Sequence, residues 1–96
     1  GFVVVIFIAD YQMTNIDPKM IKAIEGHEKA VVIKVHENNV KAVVKKLRLR
    51  NYPSIALFHD GSKKKVWKAD FDGNLDLTTE QVRKAIDWHS AVLKGY

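Results

Sequence analysis

Leu47–Gly61 reads LRLRNYPSIALFHDG. A basic helix end runs into Asn51-Tyr52-Pro53, an apolar strand follows from Ile55 to His59, and Asp60-Gly61 closes it. Proline has no amide hydrogen to give a sheet ladder, so Pro53 marks a strand's first residue rather than its middle. An X-Pro bond in a turn before a strand, with an aromatic X, is also a setting for a cis peptide. Asp-Gly between two strand-like runs is a strong hairpin signal, because both residues tolerate a positive φ. Helix, proline-entered strand and hairpin are thus placed, and the other elements follow outward from them.

Upstream, Val40, Val43, Val44 and Leu47 recur at helical spacing opposite Lys41, Lys45 and Lys46, with Asn38 or Asn39 as the expected cap. Ala30–His36 precedes this helix, and its run of Val31, Val32, Ile33 and Val35 is the pattern of a strand buried on both faces. Phe2–Ile8 carries the same pattern. Between these strands, Asp17-Pro18 supplies an N-cap residue and a first-turn proline. Met20, Ile21 and Ile24, with His27 at the margin, give that helix its apolar stripe, and Gly26 stands near its stop.

Downstream, Lys63–Ala69 alternates basic and apolar residues as a sheet-edge strand does. Phe71–Leu77 reads as a connecting loop, with Asp70, Asp72 and Asp76 at alternate positions interrupted by Asn74. Its spacing approaches a calcium loop, but Gly73 falls at the fourth position instead of the sixth, and Gln81 replaces the bidentate glutamate at the twelfth. Calcium is therefore not expected. Thr78 with Gln81 is a capping box opening a last helix. Val82, Ala85, Ile86, His89, Val92 and Leu93 form its stripe, with Trp88 at the edge and His89 expected as a hydrogen-bonded packing residue. The order is strand, helix, strand, helix, strand, strand, helix: an α/β chain with a mixed four-stranded sheet flanked by helices.

Ninety-six residues, 47% hydrophobic and 28% charged with no linker-like tract, suit one small domain. No apolar run approaches the roughly 18 residues of a membrane-spanning helix. There is no cysteine, which removes disulfides, thiolate nucleophiles and thiolate metal sites together. His27, His36, His59 and His89 lack the spacing that puts two imidazoles on one face, so neither a metal nor another cofactor is expected. Ser54, Ser62 and Ser90 have no nucleophile motif around them. The +5 charge gathers in Lys41, Lys45, Lys46, Arg48, Arg50 and Lys63–Lys65. Without an RNP-type aromatic run or a helix-turn-helix pattern, this reads first as a solvated helix face and a protected hairpin edge.

Several features together resemble a thioredoxin-fold domain lacking its first strand and helix, over Phe2 to Leu93. They are the element order, Ala9-Asp10-Tyr11 after the first strand, Tyr52-Pro53-Ser54 where that family has its cis-proline, and Leu57-Phe58-His59-Asp60-Gly61 with the proline eight positions before the glycine. Active members carry Cys-x-x-Cys just after the first of these strands, at a helix N-terminus that lowers a thiol's pKa. Here that place reads Asp10-Tyr11-Gln12-Met13-Thr14-Asn15, so disulfide exchange by this domain is chemically excluded. Val43-Val44-Lys45-Lys46 leading to Tyr52-Pro53-Ser54 is similar to the second thioredoxin-like domain of quiescin-type sulfhydryl oxidases. Non-catalytic domains of the protein disulfide isomerase family and related secretory chaperones are the other candidates.

The resemblance implies that residues 1–96 are one domain cut from a larger secretory-pathway thiol–disulfide oxidoreductase of the endoplasmic reticulum lumen. The module would space catalytic domains or hold a protein or peptide segment. In active relatives the backbone beside the proline pairs with an extended substrate, which is strand addition and needs no thiol. The residues this nominates are Tyr52, Pro53 and Ser54, faced by Tyr11, Gln12 and Met13. Two alternatives stand beside it. One is a separate chaperone or protein-interaction domain with a groove lined by Tyr11, Met13 and Trp88. The other is nucleic-acid binding through the basic helix at 41–50 and the Lys63–Lys65 hairpin.

Overall fold

Strand β1 (Phe2–Ile8) takes the middle of the sheet because both of its faces are apolar. The computed structural model describes residues 1–9 and 18–93. On one side β1 pairs in parallel with β2 (Ala30–His36), Phe2 opposite Ala30. On the other it pairs antiparallel with β3 (Ser54–His59), Phe7 opposite Ser54, and β4 (Ser62–Trp67) completes the order β2-β1-β3-β4. Helices α1 (Pro18–Glu25), α2 (Lys41–Leu47) and α3 (Thr79–Leu93) flank this sheet.

Alternation along β1 divides the core in two. Phe2, Val4 and Ile6, with Ile55 and Leu57, meet Ile24 of α1 and Val82 and Ile86 of α3. Val5 and Phe7, with Ala56, face the other way against Leu49 and Tyr52, where Val44 and Leu47 of α2 pack. Among the described residues, one face is thus covered by two helices and the other by one short helix.

That asymmetry corrects the reading of β2. Its continuous β-branched run predicts burial on both faces, yet Val31 is 62% exposed and Ile33 43%. Among the described residues β2 pairs only with β1 and is the sheet's edge, and on the α2 face the packed core reaches Val35 but neither Val31 nor Ile33. The cap of α2 also differs from expectation. Asn38 and Asn39 lie in a 3-10 turn, Glu37–Asn39, whose cap is His36: its Nδ1 accepts from the Asn38 amide at 3.3 Å. Helix α2 then starts after Val40 with no side-chain cap.

Its C-terminus is closed by Arg48 in the left-handed region (φ 57°), with Arg48 N–H donating to Lys45 O and Leu49 N–H to Val44 O. This is a Schellman closure, and it turns the chain toward Tyr52.

The hairpin forms as the sequence predicts, Asp60 (φ 49°) and Gly61 (φ 83°) both adopting the positive φ of a type I′ turn. Strand β4 is not a plain alternation. The pairing steps from Leu57–Lys65 to Phe58–Lys63, so Lys64 is an extra, bulged residue. The bulge lets Lys64 and Lys65 both border the α3 side of the sheet while Lys63 borders the α2 side.

The capping box at α3 is reciprocal: Thr78 N–H donates to Gln81 Oε1 at 2.8 Å and Gln81 N–H to Thr78 Oγ1 at 3.2 Å. Asp70 Oδ1 accepts from the amides of Asp72 and Asn74, tying up the loop that leads there. A set of polar links then fastens α3 to the end of α1. Arg83 Nη1 donates to Ala23 O at 2.8 Å, His27 Nε2 meets Asp87 Oδ1 at 2.9 Å, and Lys29 Nζ donates to Ser90 Oγ at 3.2 Å. Positions 83, 87 and 90 share one side of the helix by its 3.6-residue period.

Candidate functional site

The segment Tyr52-Pro53-Ser54 joins the end of α2 to β3, and the Tyr52–Pro53 peptide is cis. Register places Ser54 beside Phe7 of β1, next to the point where Ala9 leaves the sheet. Tyr52 packs into the α2-side core, and Pro53 and Ser54 are likewise wholly buried. Ser54 Oγ donates to Asn51 O at 2.8 Å and accepts from Ala69 N–H at 3.4 Å, so it ties the turn before β3 to the chain leaving β4. A buried hydroxyl with donor and acceptor both engaged is a structural fastening.

Of the six residues nominated from the sequence, the structure therefore gathers Tyr52, Pro53 and Ser54 at one end of the central strands. Tyr11, Gln12 and Met13 lie outside the described residues. The three described side chains point their chemistry inward. Among the described residues no group of three histidine or carboxylate side chains is placed to hold a metal ion.

The two basic stretches meet only in part, because the hairpin run is divided between the two faces of the sheet. Lys46 of α2 and Lys63 of β4 border a cleft of about 270 Å³ with Val43, Leu47 and Phe58. Lys64 and Lys65 border a different and larger recess, about 550 Å³, on the opposite face. Trp67 of β4 and Lys84, Trp88 and His89 of α3 complete its wall. Trp88, expected at the margin of the helix stripe, is 62% exposed and stands edge-on to the His89 ring, centroids 4.7 Å apart at 88°. His89 is half-buried, and its imidazole titrates below the ordinary 6.5, first because burial disfavours the charged ring and then because Lys64 and Lys65 repel its proton.

Sequence reasoning missed this recess. Its helical half is visible as Gln81, Lys84, Ala85 and Trp88 at helical spacing, but its strand half depends on the bulge at Lys64.

No protein-family model matches the chain, and no curated protein matches it. Solved structures do. Thioredoxin-2 of the malaria parasite, described as a component of its protein secretion machinery, superposes with a TM-score of 0.69 at 12% identity, over 92% of this chain and 82% of that one. A thioredoxin from Halobacterium salinarum gives 0.65 at 19% identity, over 90% and 72%. The Malassezia sympodialis thioredoxin gives 0.61 at 18% identity, over 93% and 75%. With its mixed four-stranded sheet and flanking helices, the chain has a thioredoxin-like fold, and it carries that fold without a single cysteine.

Proposed function

We propose that the chain is a non-catalytic thioredoxin-like module of a secretory-pathway thiol–disulfide oxidoreductase, serving as a spacer or as the holder of a peptide, a protein partner or a neighbouring domain. The observation that carries this reading is the pairing of a thioredoxin-like sheet with a chain that has no thiol. Thiol exchange requires a thiolate, so what is left to such a scaffold is shape and backbone. The endoplasmic reticulum lumen, the sulfhydryl oxidase parent and the disulfide isomerase parent belong to the same proposal.

Two places support a holding role. Residues 52–54 lie at the end of the central strands, and with Tyr11, Gln12 and Met13 they are the nominated peptide contact. The outer side of β2 is the second: among the described residues this strand pairs only with β1, and its outer edge runs beside exposed Val31 and Ile33. An open edge is a template for an added strand. The exposed apolar residues there also suit a separate chaperone or interaction domain.

Titrating the ¹⁵N-labelled domain with extended peptides and with thioredoxin-type catalytic domains separates these roles. Amide shifts centred on Tyr52 and Ser54 support the peptide contact, and shifts along Ala30–His36 support docking at the edge. Absence of any shift with every partner removes the holding role and leaves the spacer.

A further inference from the structure

We propose that the recess between β4 and α3 binds a nucleotide, its base stacked on the indoles of Trp67 and Trp88 and its phosphate held by Lys64, Lys65 and Lys84. The site shares no residue with the segment at 52–54 or with the β2 edge, so its fate is independent of the reading above.

The recess is shallow and open, so a ligand there lies against one wall of groups and is not enclosed. Its volume of about 550 Å³ lies within the roughly 300–1,000 Å³ of small-molecule pockets. Trp67, opposite Ile55 in the sheet, packs partly on the core, whereas Trp88 is largely open to water and serves no core. An indole face beside lysines can stack a flat ring while the cations hold its charge. Gln81 Oε1 is engaged in the helix cap, which leaves its amide nitrogen as a donor at the rim.

The charge here is built in by the fold. Strict alternation would send Lys64 to the face opposite Lys65, and the bulge brings both to this recess. Among the described residues neither has a carboxylate partner. Lys84 pairs with Glu80 at 3.1 Å, but both side chains are 75% exposed, so that pair is weak and yields readily to a better anion. His89 feels the same field, since the lysines of β4 favour its neutral ring.

A ligand that answers both features has a flat π-system and a compact negative charge. Phosphopeptide readers rely on arginine clusters that grip phosphate with a planar fork, and this recess contains no arginine. Lysines beside aromatic platforms are instead the arrangement that binds stacked bases with little sequence preference. The same chemistry is offered by a free mononucleotide and by one nucleotide of a single strand.

The test uses the chain with AMP, a short oligothymidylate and inorganic phosphate as probes, read by indole fluorescence and by the pH titration of the His89 ring in NMR. AMP should quench the indoles saturably and raise the pKa of His89, because a bound phosphate offsets the lysine field. Trp88→Ala, at an exposed position, should weaken binding roughly tenfold, the size of one lost stack. Lys64→Gln with Lys65→Gln should weaken it and flatten its salt dependence.

An oligonucleotide bound at least about tenfold more tightly than AMP assigns the site to a strand, and equal affinity assigns it to the free nucleotide. The proposal is overturned if neither probe binds. It is equally overturned if inorganic phosphate matches AMP, or if AMP binds Trp88→Ala as well as the parent chain.

Discussion

His27, at the end of α1, and Asp87, on α3, meet at 2.9 Å across sixty positions of chain. The ring's other nitrogen, Nδ1, accepts the Lys29 amide at 3.1 Å, so the proton sits on Nε2 and is donated to the carboxylate. Both ring nitrogens of a buried histidine are thereby engaged, and the contact orients α1 against α3. Asp87 is 65% exposed, which limits the pair's worth to about 1 kcal/mol. A double-mutant cycle on His27→Ala and Asp87→Ala, read from urea midpoints, should return a coupling of that size, and Asp87→Asn, which keeps an acceptor, should lose less. No coupling would mean that the two helices are held by apolar packing alone.

Ser54→Ala should destabilise the fold by about 1–3 kcal/mol, because it strips a partner from the buried Ala69 N–H and another from the part-buried Asn51 O. Cooperative denaturant unfolding measures this. A neutral result would show that the buried hydroxyl is dispensable.

The lowered pKa of His89 makes stability depend on pH in a defined direction. The unfolded ring titrates near 6.5 and the folded ring lower, so between those values the unfolded state binds more protons. This contribution is fully present above 6.5 and is lost as pH falls through the folded value. His89→Gln removes it. The stability difference between parent and variant should therefore shift against the parent as pH drops from about 8 to about 5, while other histidines cancel in the comparison.

Leu57 and Val31 look alike in the sequence as apolar strand residues, yet their substitutions should diverge. Leu57→Ala opens a cavity in the fully buried core and should cost about 2–5 kcal/mol. Val31→Ala, at the uncovered edge, should stay within about 0.5 kcal/mol. Equal losses at both sites would mean that the β2 edge is covered in solution.

Local signals in this chain carried the element order. The Asp60-Gly61 turn, the Thr78–Gln81 capping box, the double-faced apolar run of β1 and the proline-led entry to β3 are written within a few neighbouring residues, and each forms as read. The absence of cysteine, also plain in the sequence, removes thiol chemistry whatever the fold. Position within the sheet was a different matter. A β-branched run looks the same in the middle and at the edge, because periodicity reports a strand's own residues and not what lies beside them. Only the assembled sheet made β2 an edge, brought His27 to Asp87, and bulged β4 so that Lys64 and Lys65 border one recess beneath Trp88. These contacts join residues far apart in the chain, and their energies exist only once the elements have packed.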